Sequence, residues 1–146
     1  MFSSVLIAID GWEYTTRLLD LAKRICVLNT NIEVIYVDNN FSGKLKDIKY
    51  MENLTEADIA TSREQVMQDA LCYLKVTGDI DAKGIIVGGD TADVIIKYAK
   101  KINCDLILMG HRHLSKLNRF FDPSITIKVV KKAHCPVLVD SLSKLD

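Results

Sequence analysis

The sequence predicts an α/β protein with an open, five-stranded parallel sheet and helices on both of its faces. Short, continuous runs of Val, Ile and Leu are typical of strands that are covered on both faces. Between these runs, apolar residues recur at the spacing of amphipathic helices. The two patterns alternate along the chain, which requires parallel strands joined by right-handed crossovers.

The first part of the chain predicts a strand, a helix and a second strand. A continuous apolar run at 5–9 indicates a buried strand, and Asp10-Gly11 ends it. From Thr15 the apolar residues recur at helical spacing, with charged residues on the opposite side. A second β-branched run at 32–37 completes the βαβ unit that a parallel sheet requires.

The next part predicts a long connection followed by a long helix. Residues 38–53 mix polar, glycine and lysine residues without a clean period, which indicates an irregular connection. Thr55-Glu56-Ala57-Asp58 resembles a capping box, and apolar residues continue at helical spacing until Gly78. We therefore expect the second helix to run from Thr55 to Gly78.

The remaining elements alternate in the same way. Asp90 or Thr91 can cap the start of a helix, and Asn103 suits its end. Asp122 before Pro123 indicates another helix, because it is an N-cap residue followed by proline at the first helical position. In order, these elements are a strand at 84–87, a helix up to 103, a strand at 106–109, a helix from 123 and a strand at 136–139.

Composition favours a single domain spanning residues 1–146, because a chain of this length with 49% hydrophobic residues can bury a core. Nineteen basic and nineteen acidic residues leave no net charge to attract nucleic acid or an anionic membrane. The sequence begins without a basic leader, and no stretch approaches the roughly 20 apolar residues of a membrane span. Four cysteines without a C-x-x-C pair are typical of reduced thiols, so we expect a cytoplasmic protein.

A ligand site is expected where the strand order of an open parallel sheet reverses, beyond the carboxyl ends of the strands. The loops after the first, second and fourth predicted strands contain unusual residues: Asp10-Gly11-Trp12, Val37-Asp38-Asn39 and Met109-Gly110-His111-Arg112-His113. Together they can line a crevice with a carboxylate, an indole and basic groups. Asp10 can bond to a nucleotide or cap the turn after the first strand, and both roles stay open.

Four segments carry a resemblance that spans nearly the whole chain: V-L-I-A-I-D-G, I-Y-V-D, C-D-L-I-L-M-G and H-C-P-V-L-V. In this order and spacing they resemble the universal stress protein family. The resemblance implies a Rossmann-like sheet of strand order 3-2-1-4-5, with a crevice between the first and fourth strands. It also implies a homodimer through the last strand, at Val137, Leu138 and Val139. By family position, the nucleotide-binding residues are Ala8, Ile9, Asp10, Val37, Met109, Gly110, His113, Ser124 and Ile125.

The phosphate loop of nucleotide-binding relatives, G-x-x-G-x9-G-S/T, is altered in this sequence. Gly110 and Ser124 are kept, but His113 and Pro123 stand at the second and third glycine positions. Proline has no N–H to donate to a phosphate, and the His113 side chain can occupy space that a phosphate needs. Asp122 would also place a carboxylate at the end of the helix where a phosphate would bind.

Two features of the same crevice leave nucleotide binding open. Arg112, Lys116 and Arg119 bring positive charge into the loop, and the first two can replace the missing backbone amides around ATP or AMP. Trp12 can either cover the crevice or stack on a base.

The sequence predicts neither a metal site nor an enzyme. His111-x-His113 and His134-Cys135 are two short fragments without a clear third or fourth ligand, which is a poor zinc signature. No G-x-S-x-G elbow or Walker loop occurs. The family resemblance and the altered glycine loop together imply a non-enzymatic stress-response or regulatory homodimer with an unidentified protein partner. The alternative is an ATP- or AMP-binding family member.

Overall fold

Strands and helices alternate along the chain in the computed structural model, which describes residues 1–10, 15–38, 49–50, 62–110 and 123–141. The strands are β1 (Ser4–Ile9), β2 (Asn31–Val37), β3 (Lys49–Tyr50), β4 (Lys83–Val87), β5 (Leu106–Gly110) and β6 (Val137–Asp140). The helices are α1 (Thr15–Ile25), α2 (Ser62–Gly78), α3 (Thr91–Ile102) and α4 (Pro123–Lys132). No helix among these residues is long and apolar enough to cross a bilayer.

The sheet has the strand order β3-β4-β2-β1-β5-β6. All pairs among β4, β2, β1, β5 and β6 are parallel, and counting the five predicted strands along the chain gives the order 3-2-1-4-5. The predicted fold class is therefore confirmed. The connection from β4 through α3 to β5 passes over β2 and β1, so the strand order reverses between β1 and β5, as the resemblance implied.

The sequence suggested that the connection at 38–53 is irregular throughout, but two of its residues form a strand. Lys49 and Tyr50 form β3, which pairs antiparallel with Ile86 and Ile85 of β4. Without this pairing β4 would be an edge strand with unpaired backbone groups, and covering such an edge is a common protection. The predicted start of the second helix at Thr55 lies outside the described residues, within which α2 begins at Ser62.

Two apolar layers enclose the sheet because successive residues of each strand point to opposite faces. In β1, Leu6 and Ala8 join the layer under α3 and α4, whereas Val5, Ile7 and Ile9 join the layer under α1 and α2. All five are buried. This two-sided burial is the physical reason for the continuous apolar runs in the sequence.

The caps predicted for the third helix are present. The Asp90 carboxylate accepts a hydrogen bond from the Asp93 backbone N–H at 3.0 Å. Asn103 ends α3 in the left-handed region, with φ 51°, which asparagine tolerates better than most residues. These local signals fix where α3 begins and ends, and therefore where β5 can start.

One polar pair is buried between α3 and the sheet. The Tyr98 hydroxyl donates a 2.6 Å hydrogen bond to Glu33 Oε2 of β2. Both residues are buried, with Tyr98 1% and Glu33 7% exposed. A buried carboxylate without such a donor would cost folding free energy, so this bond ties α3 to a defined position on β2.

We predict that Tyr98→Phe lowers the free energy of unfolding by about 1.5–3 kcal/mol, because it removes a donor from a buried carboxylate. The matched control is Tyr73→Phe, which removes a 2.7 Å bond to Asp20, a carboxylate that is half exposed to water. That variant should lose clearly less stability, because water can replace the lost donor. Urea unfolding of both variants measures the difference, and equal losses would contradict the role given to the buried pair.

Candidate functional site

Most of the predicted site residues on strands meet at the carboxyl edge of the sheet, around β1. Ala8 of β1 lies opposite Met109 of β5, and Ile9 lies opposite Tyr36 of β2. Val37 and Gly110 end β2 and β5 at the same edge. These strand residues are buried except for Tyr36, which is partly exposed. They form an apolar floor, and Asp10 follows directly at the end of β1.

The predicted residues on α4 have different environments. Ser124 is exposed in the first turn, whereas Ile125 is partly buried and packs against the core. The helix begins at Pro123, so the first residue of its backbone has no N–H to offer an anion. His113, Arg112 and Lys116 lie outside the described residues, as do Trp12 and Asp122, and their predicted roles stay predictions.

An ion pair lies at this edge of the sheet, beside β2. Arg63, in the first turn of α2, places Nη1 3.1 Å from Oδ2 of Asp38, the residue that follows β2. The Arg63 Nε atom is also 3.8 Å from Oε2 of the buried Glu64. The backbone N–H of Asp38 donates to the Val87 carbonyl of β4, which fixes the strand end that carries the carboxylate.

The pKa of Tyr36 reflects the charges around this ion pair. Burial raises the pKa of its phenol, and the negative charges of Asp38 and Asp10 raise it further. Arg63 acts in the opposite direction. The ends of β1 and β2 are therefore a region of acidic character, partly neutralised by one arginine.

A second arginine pairs with a carboxylate across the sheet. Arg17 in the first turn of α1 donates from Nε and Nη2 to the two carboxylate oxygens of Asp140, at 3.1 and 3.2 Å. Asp140 is the last residue of β6 and lies opposite Gly110 in the register of β5 and β6. The two-pronged geometry suits an arginine and a carboxylate, and it connects α1 with the edge strand.

A lysine forms a third ion pair with carboxylates, at the start of α3. Lys128 Nζ of α4 lies 2.8 Å from Oδ1 of Asp93 and 3.7 Å from Oδ1 of Asp90. The lysine bond lowers the pKa of Asp93, and the two aspartates raise the pKa of Lys128. The sequence did not indicate that three cations pair in this way, because only the fold brings each one to its carboxylate. They are Arg17, Arg63 and Lys128.

Comparisons with known proteins all indicate one family. The model of the universal stress protein family matches residues 1–140. Universal stress protein YxiE of Bacillus subtilis is 25% identical over 146 residues, covering 95% of this chain and 99% of its own. A universal stress protein in complex with cAMP has a TM-score of 0.68 at 19% identity, covering 97% of this chain and 99% of its own. The Archaeoglobus fulgidus universal stress protein in complex with dAMP has a TM-score of 0.66 at 16% identity, covering 94% and 97%.

We predict that the Arg63–Asp38 pair stabilises the fold more than an exposed pair at the end of the same helix. Its side chains are only 24% and 13% exposed, whereas those of Lys75 and of Asp79, which directly follows α2, are 54% and 90% exposed. A double-mutant cycle with Arg63→Gln and Asp38→Asn should give a coupling of about 1–2 kcal/mol. The same cycle on Lys75 and Asp79 should give a clearly smaller coupling, and equal couplings would contradict the prediction.

Proposed function

Because the chain belongs to the universal stress protein family, we propose that it is a non-enzymatic stress-response or regulatory protein that acts as a homodimer and binds ATP only weakly. The observation that carries the ATP part of the proposal is the pairing of cations at the carboxyl edge. There, Arg17, Arg63 and Lys128 are each bonded to an aspartate. A triphosphate would have to compete with these carboxylates for the same cations.

The start of α4 supports the same conclusion. A phosphate at a helix N-terminus binds to backbone N–H groups that have no partner within the helix. Pro123 removes one of them, and it stands where nucleotide-binding relatives have a glycine. The acidic groups Asp10 and Asp38 lie at the neighbouring strand ends, which makes an approaching polyanion less favourable.

A second candidate is binding of a nucleoside monophosphate, which carries fewer negative charges than ATP. Several of the residues expected to contact the nucleoside lie at one edge of the sheet: Asp10, Val37, Met109 and Gly110. Solved relatives with the same fold were obtained in complex with cAMP and with dAMP. In this candidate, Arg112 or Lys116 supplies the phosphate contacts that the missing glycine amides do not.

We predict that millimolar Mg-ATP does not raise the melting temperature of the protein, because ligands stabilise a fold only when they bind the folded state at that concentration. Calorimetric titrations with ATP and AMP accompany the melting curves. A clear rise with Mg-ATP would overturn the ATP part of the proposal. Heat with AMP but not with ATP would establish the second candidate instead.

Restoring the glycine positions provides the complementary variant for this prediction. His113→Gly combined with Pro123→Gly returns one backbone amide and removes both the imidazole and the proline ring, so the affinity for ATP should rise by about tenfold or more. His111→Gly is the matched control, since it adds a glycine to the same loop outside the motif positions. It should leave ATP binding unchanged.

The homodimer proposal rests on the edge strand β6. Val137, Leu138 and Val139 form an apolar strand with a neighbour, β5, on one side in the sheet. Leu138 is 37% exposed, and the α4 residues Ile127 and Val130 are each 53% exposed. Pairing two β6 strands about a two-fold axis would cover both the backbone edge and Leu138. The reduced thiols of all four cysteines fit a cytoplasmic location for this dimer.

We predict a particle of twice 16.4 kDa in light scattering at micromolar concentration. Leu138→Lys should shift it to the monomer, because a lysine on each strand places like charges across the two-fold axis. Leu28→Lys is the control, since Leu28 is 92% exposed in the turn before β2, and β1 and β5 separate β2 from β6 in the sheet. A monomeric wild-type protein, or a Leu138→Lys variant that stays dimeric, would refute this interface.

A further inference from the structure

Three groups that commonly bind metals meet at the amino ends of β5 and β6, on the edge opposite the candidate nucleotide crevice. Cys104 precedes β5, and His134 and Cys135 precede β6. One sulfur from each cysteine and one ring nitrogen of His134 lie within 4.8 Å of one another. This is the only such group of three among the described residues in which two members are thiols.

The distance between the sulfur atoms suits shared coordination better than a covalent bond. Cys104 Sγ and Cys135 Sγ are 3.9 Å apart. Two thiolates on one tetrahedral Zn²⁺ at about 2.3 Å each would lie about 3.8 Å apart. A disulfide would require about 2.05 Å, so the sulfur atoms would have to move far closer to form one.

The hydrogen bond of His134 leaves one ring nitrogen available. His134 Nε2 lies 2.8 Å from the Cys104 carbonyl oxygen. A carbonyl only accepts, so Nε2 carries a proton, and a neutral ring would have its lone pair on Nδ1. This is the usual arrangement of a metal-binding histidine, whose second ring nitrogen donates to a carbonyl or carboxylate.

The burial of the three residues gives the site an inner and an outer side. Cys104 is 2% exposed, Cys135 is partly exposed, and His134 is exposed. A divalent cation held by the two thiolates would be reached from the side of the exposed His134, where water can occupy the fourth position.

We propose that Cys104, His134 and Cys135 form a binding site for Zn²⁺, with water as the fourth ligand. The ion would join the end of α3 to the start of β6, the strand proposed for dimerisation. The site was not predicted, because His134-Cys135 was considered together with His111-x-His113 and not with Cys104. The site does not depend on nucleotide binding, since its ligands lie at the amino edge of the sheet.

Cobalt titration of the full chain tests the proposal, since Co²⁺ occupies zinc sites and absorbs in the near ultraviolet when thiolates bind it. We expect one Co²⁺ per chain and displacement of the absorption by Zn²⁺. Cys135→Ser should remove about half of the band and weaken binding by about 100-fold. Cys72→Ser and Cys26→Ser are the controls, because Cys72 lies on α2 and Cys26 directly follows α1, and they should bind like the wild type.

The exposed His134 provides a variant that should not disturb the core. His134→Ala should keep the charge-transfer band but weaken Co²⁺ binding by at least about tenfold, while circular dichroism confirms the fold. A wild-type chain without the band, or a band that Cys135→Ser leaves intact, would show that the two thiols are only in packing contact. Either result would overturn the zinc site.

Discussion

Aspartates that end parallel strands at one edge of the sheet require partners, and their ion pairs organise the rest of that edge. Asp38 follows β2 and Asp140 ends β6, and each is bonded to an arginine from the first turn of a helix. These bonds connect α1 and α2 to the strand ends. The Asp38 and Asp140 side chains are only 13% and 14% exposed, and a carboxylate with so little access to water is unfavourable without a cation beside it.

The same bonds bear on what the edge can bind, in keeping with the proposal of weak ATP binding. A phosphate-binding edge needs cations and N–H groups that are available to the ligand, whereas Arg17 and Arg63 are bonded to aspartates and α4 begins at a proline. The apolar floor made by Ala8, Val37 and Met109 does not depend on those charges. Under that proposal, the phosphate end of the edge is altered more than its nucleoside end.

The fold was largely predictable because its determinants are local. The strands of the five-stranded parallel order follow from apolar runs, since burial on both faces demands them in every residue of a strand. Asp90 and Asn103 fixed the ends of α3 through their own backbone preferences. The short strand β3 was not predictable, because two residues carry too little pattern and its pairing depends on the exposed edge of β4.

The electrostatic part of the site could not be predicted for the opposite reason. Arg17 and Asp140 are 123 positions apart in sequence, and nothing local to either residue indicates the other. The approach of Cys104 to His134 likewise depends on β5 and β6 being neighbours. The floor residues were found through their family positions, whereas the ion pairs are a property of how this chain's helices sit on its sheet.

Weak ATP binding requires that Arg17 and Arg63 stay bonded to Asp140 and Asp38 when a nucleotide is present. A crystal structure of protein purified without added nucleotide and then soaked in Mg-ATP distinguishes the two cases. We expect the Arg63–Asp38 and Arg17–Asp140 bonds to persist, with no triphosphate density between the ends of β1 and β5. Density for ATP with its phosphates bonded to either arginine would rule the proposal out.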